Sequence, residues 1–483
     1  MARSAFHLVL GQVVMTALAL VLSAALGRGL GPSDFGVLYL ITTIVGFSVC
    51  VVDWGQTMYM VREVAPDAGK AGALLGTALV LRVLGTVLVA AVVAGAMALL
   101  DYDAATRRYA LVAMAATLPF VLASAYSILF RGRQRMDYSA GVDVANRVLV
   151  VAVTLPTLWL GGRLLSLIAV QGIAGIGALV LAALLYRRLR MPPARASLGV
   201  ARALLVGGAP LVSMSLAIAF RPYIDAILLS KLAPPDVVGW YGAARNFMSV
   251  LVAPAAILGT AAYPRLSEAR GNPETFRREL RAAMRPLLVI AALGMVGTYL
   301  FADLAVSIVY SKQKFGPAVP ILQVFAPGLL LMFIDMQLGN AILAVGRSLG
   351  LAIAKAVAVG LGAGLDVLLI PWCQARFGNG GIGVVLSFSG SELVMIATSL
   401  VLVPRGALGR SALADAARAL LAGAVTLVAM SLLGSLSPFL KLPLCIALFA
   451  ALCVALRLVT REDLTTLQGL LRPKRGNPPK ASP

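Results

Sequence analysis

Charged residues are scarce in this chain of 483 residues, and that scarcity excludes most soluble classes of protein. Only 13% of the residues are charged and 60% are hydrophobic, whereas roughly 25% of the residues in an average soluble domain are charged. The mean hydropathy is correspondingly high, at +0.93. A water-soluble chain of this length could not bury so much apolar surface, so a soluble enzyme, a disordered chain and a fibrous protein are excluded. The composition predicts a polytopic membrane protein.

Histidine and cysteine are also rare, which removes the usual reagents of metal and nucleophilic chemistry. The single histidine is His7, and the four cysteines are Cys50, Cys373, Cys445 and Cys453. One histidine cannot supply a zinc cluster or a histidine-dependent nucleophile, so we expect no metal site, no catalytic residue and no cofactor. The cysteines lie far apart in apolar runs, and we expect free buried thiols rather than disulfides.

Long apolar runs make up most of the chain. A bilayer core of ~30 Å needs about 20 apolar residues in a helix, and fourteen runs approach that length. They span residues 6–26, 36–61, 71–100, 109–130, 138–160, 164–186, 203–230, 239–262, 286–310, 319–345, 349–372, 381–403, 412–434 and 440–460. The first run has the length of a membrane span rather than that of a signal peptide. The sequence therefore predicts an all-α integral membrane protein with about fourteen transmembrane helices.

The basic residues are distributed unevenly between the two sides of the predicted membrane. The chain holds 41 Lys and Arg residues against 20 Asp and Glu residues, which gives a net charge of +21. With the amino terminus in the cytoplasm, 27 of the basic residues lie in or beside cytoplasmic connections and 9 lie on the opposite side. This positive-inside pattern predicts that both termini are cytoplasmic, and it accounts for the charge excess without a nucleic-acid partner.

Besides the charges assigned to the ends of spans, eleven charged residues are predicted to lie in the membrane interior. Each costs at least ~2.5–3.5 kcal/mol at the centre of a helix, so their number predicts an interior with ion pairs and a water-filled cavity. They are Arg82, Arg147, Arg221, Arg245, Lys355, Asp53, Asp143, Asp225, Asp335, Asp366 and Glu392.

A short internal repeat links the two halves of the chain. Residues 32–39 read Pro-Ser-Asp-Phe-Gly-Val-Leu-Tyr, and residues 234–241 read Pro-Pro-Asp-Val-Val-Gly-Trp-Tyr. The repeat places Gly36 at the start of the second span and Gly239 at the start of the eighth, 203 residues later. Six spans separate equivalent points, and an even number preserves orientation across the membrane. The two halves are therefore predicted to be parallel repeats.

The first segment of this repeat belongs to a longer stretch that resembles a known family. Residues 28–39, 53–55 and 62–65 resemble the start of the polysaccharide flippases, which export O-antigen and related lipid-linked oligosaccharides and belong to the MATE-like MOP superfamily. Further matching segments follow in the family's order at 221–225, 238–245, 262–267, 315–322, 339–340 and 346–347. The resemblance covers about residues 6–403.

The resemblance implies two parallel six-helix lobes around a central cavity, which helices 1, 2, 7 and 8 would line. The lobes would comprise residues 1–192 and 193–404, followed by two further helices in 405–463 and a basic cytoplasmic tail in 464–483. It implies transport rather than catalysis: a polyprenyl-pyrophosphate-linked oligosaccharide would move from the inner to the outer leaflet by alternating access, for cell-surface polysaccharide assembly. The location would be the bacterial cytoplasmic (inner) membrane, with membrane lipids and a polymerase or other glycan-assembly proteins as partners.

The phosphates of such a cargo need cations, because moving them through hydrocarbon alone is prohibitive. The predicted substrate-binding residues of the cavity are Arg82, Arg147, Arg221, Asp225 and Arg245. Each has an alternative role: Arg82 could pair with an acid such as Asp53, and Arg147 could pair with Asp143 one helical turn away. Arg221 and Asp225 could neutralise each other, and Arg245 could reach the membrane surface.

Three other intramembrane acids are candidate sites for a coupling ion, namely Asp335, Asp366 and Glu392. Acids buried in transporters bind Na⁺ or H⁺, although structural pairing is the alternative and the sequence does not choose among the three. The membrane potential is a further source of energy, because each negative charge moved outward is worth ~2.3 kcal/mol per 100 mV.

Two other functions compete with the flippase hypothesis. A cation-coupled multidrug exporter of the MATE type would favour acids and aromatic residues around cationic drugs, whereas this interior offers several arginines. A membrane enzyme such as a glycan polymerase or ligase is disfavoured, because no predicted external connection is long. Binding of a pyrophosphate lipid by the purified protein would separate the flippase from both.

Overall fold

The computed structural model describes residues 2–434 and 436–458, and this part of the chain contains helices and no strand. Nine helices cover the first part: α1 (Ala2–Asp53), α2 (Gln56–Val64), α3 (Ala71–Leu99), α4 (Ala104–Gly132), α5 (Met136–Trp159), α6 (Leu164–Ala169), α7 (Gln171–Arg188), α8 (Leu198–Ala219) and α9 (Arg221–Leu232). Eight follow up to residue 458: α10 (Pro235–Glu268), α11 (Pro273–Val309), α12 (Lys312–Phe315), α13 (Ala318–Ala344), α14 (Ser348–Phe377), α15 (Gly380–Leu402), α16 (Arg410–Leu432) and α17 (Pro438–Ala455). The predicted tail, 464–483, lies outside the described residues.

The all-α membrane class predicted from the sequence is confirmed. In the described part of the chain, eleven segments are long and apolar enough to cross a membrane. The first of these, α1, contains the first predicted span and most of the second, which meet at a kink where Gly31 has φ 81° and is followed by Pro32; the second span ends in α2. Glycine tolerates that left-handed conformation and proline restricts the residue before it, so the chain turns there. The seventh predicted span corresponds to α8 and α9, and the eighth to α10.

The break predicted between the fifth and sixth spans is also present. α5 ends at Trp159 and α6 begins at Leu164. Gly161 has φ 77°, a backbone conformation that residues with a Cβ rarely adopt. The two glycines of the sequence Gly161-Gly162-Arg163 therefore form a turn between two membrane-spanning helices.

The described chain divides into two compact units. The first consists of residues up to Leu251 together with Ala302–Phe325 and Ser348–Thr398. The second consists of Val252–Phe301, Ala326–Arg347 and the residues from Ser399 onward. Large side chains from several helices fill the core of the first unit, including Met60, Leu75, Leu129 and Phe130.

Small residues let backbones approach closely in the first unit, as is usual between helices in membranes. On α3, a Cβ at Gly72 would overlap the carbonyl oxygen of Pro193, and a Cβ at Gly76 would meet the backbone of Arg195. The amide of Arg195 donates to the carbonyl of Gly72 at 3.0 Å, and the amide of Ser197 donates to Thr77 Oγ1 at 3.0 Å. The connection between α7 and α8 is thereby held against α3.

The two glycines of the internal repeat contact each other in the first unit. A Cβ at Gly36 would lie 2.7 Å from the amide nitrogen of Gly239, and a Cβ at Gly239 would overlap the carbonyl oxygen of Pro32. The repeated tyrosines also meet, because the rings of Tyr39 and Tyr241 lie edge to face with centroids 5.9 Å apart. Equivalent positions of the two repeats therefore pack reciprocally, α1 against α10.

The second unit is held together by an ion pair and a small apolar core. Asp415 on α16 is almost completely buried and accepts two hydrogen bonds from Arg281 on α11, at 2.7 and 3.2 Å. Val296, Met430 and Cys445 form a buried apolar cluster in the same unit. Charge-assisted bidentate contacts of this kind are among the stronger hydrogen bonds in proteins, so α16 is fixed firmly against α11.

All four cysteines lie in the described residues and are free, as predicted.

Candidate functional site

A cavity of about 220 Å³ lies in the first unit between the two arms of α1, α5 and α10. Its polar lining residues are Ser23, Tyr39, Thr42, Arg147, Asn246 and Ser249. Ser23 precedes the kink at Gly31 and Tyr39 follows it, so the bend in α1 brings both arms to the cavity. The remaining described lining residues are apolar, and none of the described lining residues is acidic.

Arg147 is the only charged side chain among the described lining residues of this cavity. It forms no ion pair with an acid in the described part of the chain. Asp143, one turn earlier on α5, pairs instead with Arg131 at 3.3 Å. Arg131 is further fixed by donating from Nε to Ser139 Oγ at 2.8 Å. The alternative in which Asp143 neutralises Arg147 is therefore not realised, and the guanidinium of Arg147 is left available to the cavity.

Uncharged polar side chains form one wall of the cavity, and the sequence analysis did not identify them. Ser23 Oγ lies 2.6 Å from the hydroxyl of Tyr310, and Asn246 donates to Ser23 Oγ at 2.8 Å. Arg28 donates to the carbonyls of Val309 and Tyr310 at 3.1 and 2.7 Å, which satisfies free carbonyls at the end of α11. Of these contacts, only the hydrogen bonds of Arg28 had a signal in the sequence, because a cation near the carboxyl end of a helix is favourable.

Arg82 lies away from this cavity lining and is fully used in contacts within the first unit. It is 1% exposed. Its guanidinium donates to Asp53 at 2.6 Å, to the carbonyl of Val121 at 2.6 Å, to Gln56 at 3.3 Å and to Ser124. The pairing with Asp53 is the alternative considered from the sequence. To bind a phosphate, Arg82 would have to give up one of these partners.

Arg221 and Asp225 form the predicted i, i+4 pair on α9, with Nε to Oδ1 at 2.7 Å. The guanidinium also donates to Ser387 Oγ at 3.1 Å and to Ser391 Oγ, both on α15. Ser387 in turn donates to the carbonyl of Gly362 on α14 at 2.7 Å. Arg221 therefore ties three helices together at a buried position.

Gly362 makes this arrangement sterically feasible. A Cβ on Gly362 would overlap the guanidinium of Arg221. Asp366 lies one turn further along α14 and is completely buried. Both of its carboxylate oxygens lack a hydrogen-bond partner of ordinary geometry among the described residues, and it interacts electrostatically with Asp225 and Arg221.

Arg245 and Glu392 extend this group of charges. Arg245 interacts electrostatically with Asp225 and Glu392, and its guanidinium carbon lies 5.9 Å from the ring centroid of Phe388. The first unit thus brings together two arginines and three acids that the sequence analysis had named separately. Asp335, the remaining candidate, is buried on α13 in the second unit.

Within the described residues, no group of three or more His, Cys, Asp or Glu side chains could hold a metal ion. The fold and the cavity define a polytopic helical membrane protein with a partly polar cavity whose one charged residue among those described is an arginine. The family model described as "Polysaccharide biosynthesis protein" matches residues 1–270, more than half of the chain. The protein therefore belongs to this polysaccharide biosynthesis family. A second family model, MatE, matches residues 210–368.

Solved structures share the fold at low sequence identity. A lipid II flippase, MurJ, in an inward closed conformation has a TM-score of 0.75 and 13% identity, covering 96% of this chain and 99% of that chain. An inward-facing multidrug resistance MATE transporter of the MOP superfamily has a TM-score of 0.65 and 14% identity, covering 80% of this chain and 93% of that chain. An outward-facing MATE transporter has a TM-score of 0.54 and 16% identity, with 81% and 91% covered.

A search of curated proteins gives no significant match. The chain thus belongs to a polysaccharide biosynthesis family and shares the fold of a solved lipid II flippase and of solved MATE transporters.

Proposed function

We propose that the protein flips a polyprenyl-pyrophosphate-linked oligosaccharide from the inner to the outer leaflet by alternating access. The observation that carries the proposal is Arg147, a guanidinium without an acid partner that lines a cavity between α1, α5 and α10. A guanidinium binds phosphate through two parallel hydrogen bonds, and it does so more strongly in a site shielded from water. The family's role in polysaccharide biosynthesis supports a glycan cargo.

The sign of the charge in the cavity favours an anionic head group over a cationic drug. Burying a phosphate without a counter-charge is strongly unfavourable, and Arg147 supplies that counter-charge. A site for cationic drugs would place acids or open aromatic faces in the lining. The described lining contains one arginine and no acid, and its two aromatic rings, Phe35 and Tyr39, pack against other aromatic rings of the first unit.

Hydroxyl and amide groups beside Arg147 would contact the first sugars. Ser23, Thr42, Asn246 and Ser249 present donors and acceptors, which match the hydroxyl groups of a glycan. Apolar residues, among them Leu22, Leu26 and Leu38, make up the rest of the lining. This mixture suits a ligand whose charged head is followed by a polar chain.

The size of the cavity requires a conformational change. Its volume of about 220 Å³ is below the ~300–1,000 Å³ typical of sites for drug-sized ligands. An oligosaccharide would enter only after the cavity has opened. We assign this opening to rocking of the lobes 1–192 and 193–404, with the contact between Gly36 and Gly239 separating on the external side.

Coupling would involve the charged group around Arg221. Two arginines and three acids, if all are ionised, leave one negative charge in excess, which one proton or one Na⁺ would neutralise. Asp366 and Glu392 are therefore proposed as coupling residues, and Asp335 as a second candidate site. The membrane potential would also drive export, because a pyrophosphate diester with two charges gains about 4.6 kcal/mol per 100 mV.

We place the protein in the bacterial cytoplasmic membrane with both termini inside, delivering its cargo to polymerases or other glycan-assembly proteins on the outer side. Membrane lipids would surround it and admit the polyprenyl tail.

Binding to the purified protein tests the proposal. Full-length protein in detergent should bind a polyprenyl-pyrophosphate glycan, and Arg147→Ala should weaken binding roughly tenfold, as expected for the loss of one charge-assisted contact. Arg188→Ala, at an exposed position on α7, is the matched control and should bind normally. If the unmodified protein, Arg147→Ala and Arg188→Ala bind the glycan equally well, Arg147 is not part of the binding site.

A cation-coupled multidrug exporter is the second candidate, favoured by the MatE match over residues 210–368. It predicts transport of cationic dyes that depends on Asp366 rather than on Arg147. Dye efflux from vesicles containing the protein distinguishes the two functions.

A further inference from the structure

A second cleft, of about 700 Å³, lies in the second unit between the start of α11 and the start of α16. Its lining consists of Asn272, Glu274, Thr275, Arg277, Arg278, Arg281, Gly409, Arg410 and Ser411. Four of these side chains are arginines and one is acidic. The proposed transport site lies in the first unit, so this cleft is not accounted for by it.

Two of the four arginines carry uncompensated charge. Arg281 is paired with the buried Asp415, and Arg278 lies 3.6 Å from Glu279. Arg277 and Arg410 form no ion pair in the part of the chain that is described. The single acid of the lining, Glu274, cannot neutralise both of them. The cleft therefore has a net positive charge.

The walls of the cleft are held in place by their own contacts. Asp415 is 1% exposed on its side chain and binds Arg281 through both oxygens, which fixes α16 against α11. Asn272 Oδ1 accepts from the amides of Glu274 and Thr275 at 3.0 and 3.1 Å, which fixes the start of α11. A site held in this way loses little conformational freedom when an anion binds.

Exposed leucines follow Arg410 along α16. Leu413, Leu420 and Leu421 are 63%, 45% and 52% exposed. At 100° per residue they lie on the same side of the helix as Arg410. The surface thus combines a cationic end with an apolar strip at the end of a membrane-crossing helix. A soluble anion would contact only the cationic end of this surface, whereas a phospholipid would contact both the cationic end and the apolar strip.

We propose that this cleft binds the phosphate head group of an anionic phospholipid, held by Arg277 and Arg410, with its acyl chains along the leucines of α16. Basic residues on the cytoplasmic side of a membrane attract anionic lipids in this way. The proposal rests on the second unit and on the proposed cytoplasmic side of this cleft, and it is independent of the cargo.

The test compares lipid retention by full-length protein using native mass spectrometry and thermal stability in detergent. Phosphatidylglycerol should bind and raise the melting temperature more than phosphatidylcholine does. The double variant Arg277→Gln/Arg410→Gln should bind phosphatidylglycerol roughly tenfold more weakly. Arg188→Gln/Arg202→Gln removes the same charge from exposed positions elsewhere and should behave like the unmodified protein.

Two results would overturn the proposal. Equal loss of phosphatidylglycerol in both double variants would show general attraction by surface charge. Stabilisation by inorganic phosphate equal to that by phosphatidylglycerol, with unchanged phosphatidylglycerol binding in Leu413→Ser/Leu420→Ser, would show a soluble-anion site instead. If Leu413→Ser/Leu420→Ser does not fold, Leu413→Ala/Leu420→Ala provides the same comparison with less change in polarity.

Discussion

Asp143 forms its ion pair with Arg131 on α4, at 3.3 Å, and not with Arg147 on its own helix. Spacing along α5 alone would favour Arg147 as the partner, because residues four positions apart share a helical face. The choice of Arg131 removes the acid that would neutralise Arg147. The ion pair between Asp143 and Arg131 thus leaves the guanidinium of Arg147 available for a phosphate.

Arg131→Ala should reduce flipping by releasing Asp143 to pair with Arg147. The expected loss is roughly tenfold, comparable to removing one charge-assisted contact with the cargo. Adding Asp143→Asn to Arg131→Ala should restore transport, because the competing charge is then absent. Flipping rates per mole of protein in proteoliposomes provide the measurement. If the double variant is no more active than Arg131→Ala, competition by Asp143 is not the cause.

Arg147 and Arg82 should respond differently to replacement by alanine. Arg147→Ala should lower transport while membrane abundance stays near normal, because no described partner is lost. Arg82→Ala should lower abundance as well, since it removes the buried donor of Gln56 and of the carbonyl of Val121, a loss of ~1–3 kcal/mol per unsatisfied group. Immunoblots of membranes together with transport assays separate the effects. Normal abundance with lost transport in Arg82→Ala would instead support the predicted substrate role of Arg82.

Gly362→Ala should disrupt the charged group around Arg221, because the added methyl group overlaps the guanidinium. Gly360→Ala and Gly364→Ala on the same helix are matched controls, since nothing lies within 4 Å of a Cβ at either position. The controls should keep or slightly raise stability, as alanine favours helices by about 1 kcal/mol over glycine. Thermal unfolding in detergent and pH-dependent transport measure the difference. Similar behaviour of all three variants would contradict the steric argument.

Gly36→Ala and Gly239→Ala should each impair transport by separating the reciprocal contact between α1 and α10. A Cβ at either glycine meets the backbone of the opposite repeat. Gly95→Ala, where a Cβ meets nothing within 4 Å, serves as control and should be active. If cavity closure on the external side requires this contact, a cysteine-reactive reagent added outside should label Ser23→Cys faster in the two repeat variants. Unchanged labelling would argue against a gating role.

Membrane orientation can be tested with single cysteines in a background lacking the natural four. Ala104→Cys and Lys312→Cys should react with an impermeant reagent added outside, whereas Pro192→Cys and Asn272→Cys should react only after the membrane is opened. The reason is the 27 to 9 distribution of basic residues. External labelling at position 192 would reverse the assignment.

The class of fold was predictable from the sequence because membrane spans depend on length and composition alone. The turn at Gly161 and the reciprocal packing of Gly36 and Gly239 also had local signals, a glycine pair and a short repeat. The ion pair of Asp143 did not, since its partner Arg131 comes from another helix and is set by tertiary packing. The polar wall formed by Ser23 and Asn246 was missed for a similar reason, because such uncharged residues are common in membrane helices.

Flipping in proteoliposomes is the most direct test of the proposed function. Vesicles containing full-length protein, with a fluorescent polyprenyl-pyrophosphate oligosaccharide in both leaflets, would be treated with an impermeant quencher to follow movement between leaflets under an imposed potential. We predict protein-dependent flipping that is lost in Arg147→Ala and retained in Arg188→Ala, together with no efflux of cationic dyes. Dye efflux with no movement of the lipid-linked oligosaccharide would contradict the account and identify a drug exporter.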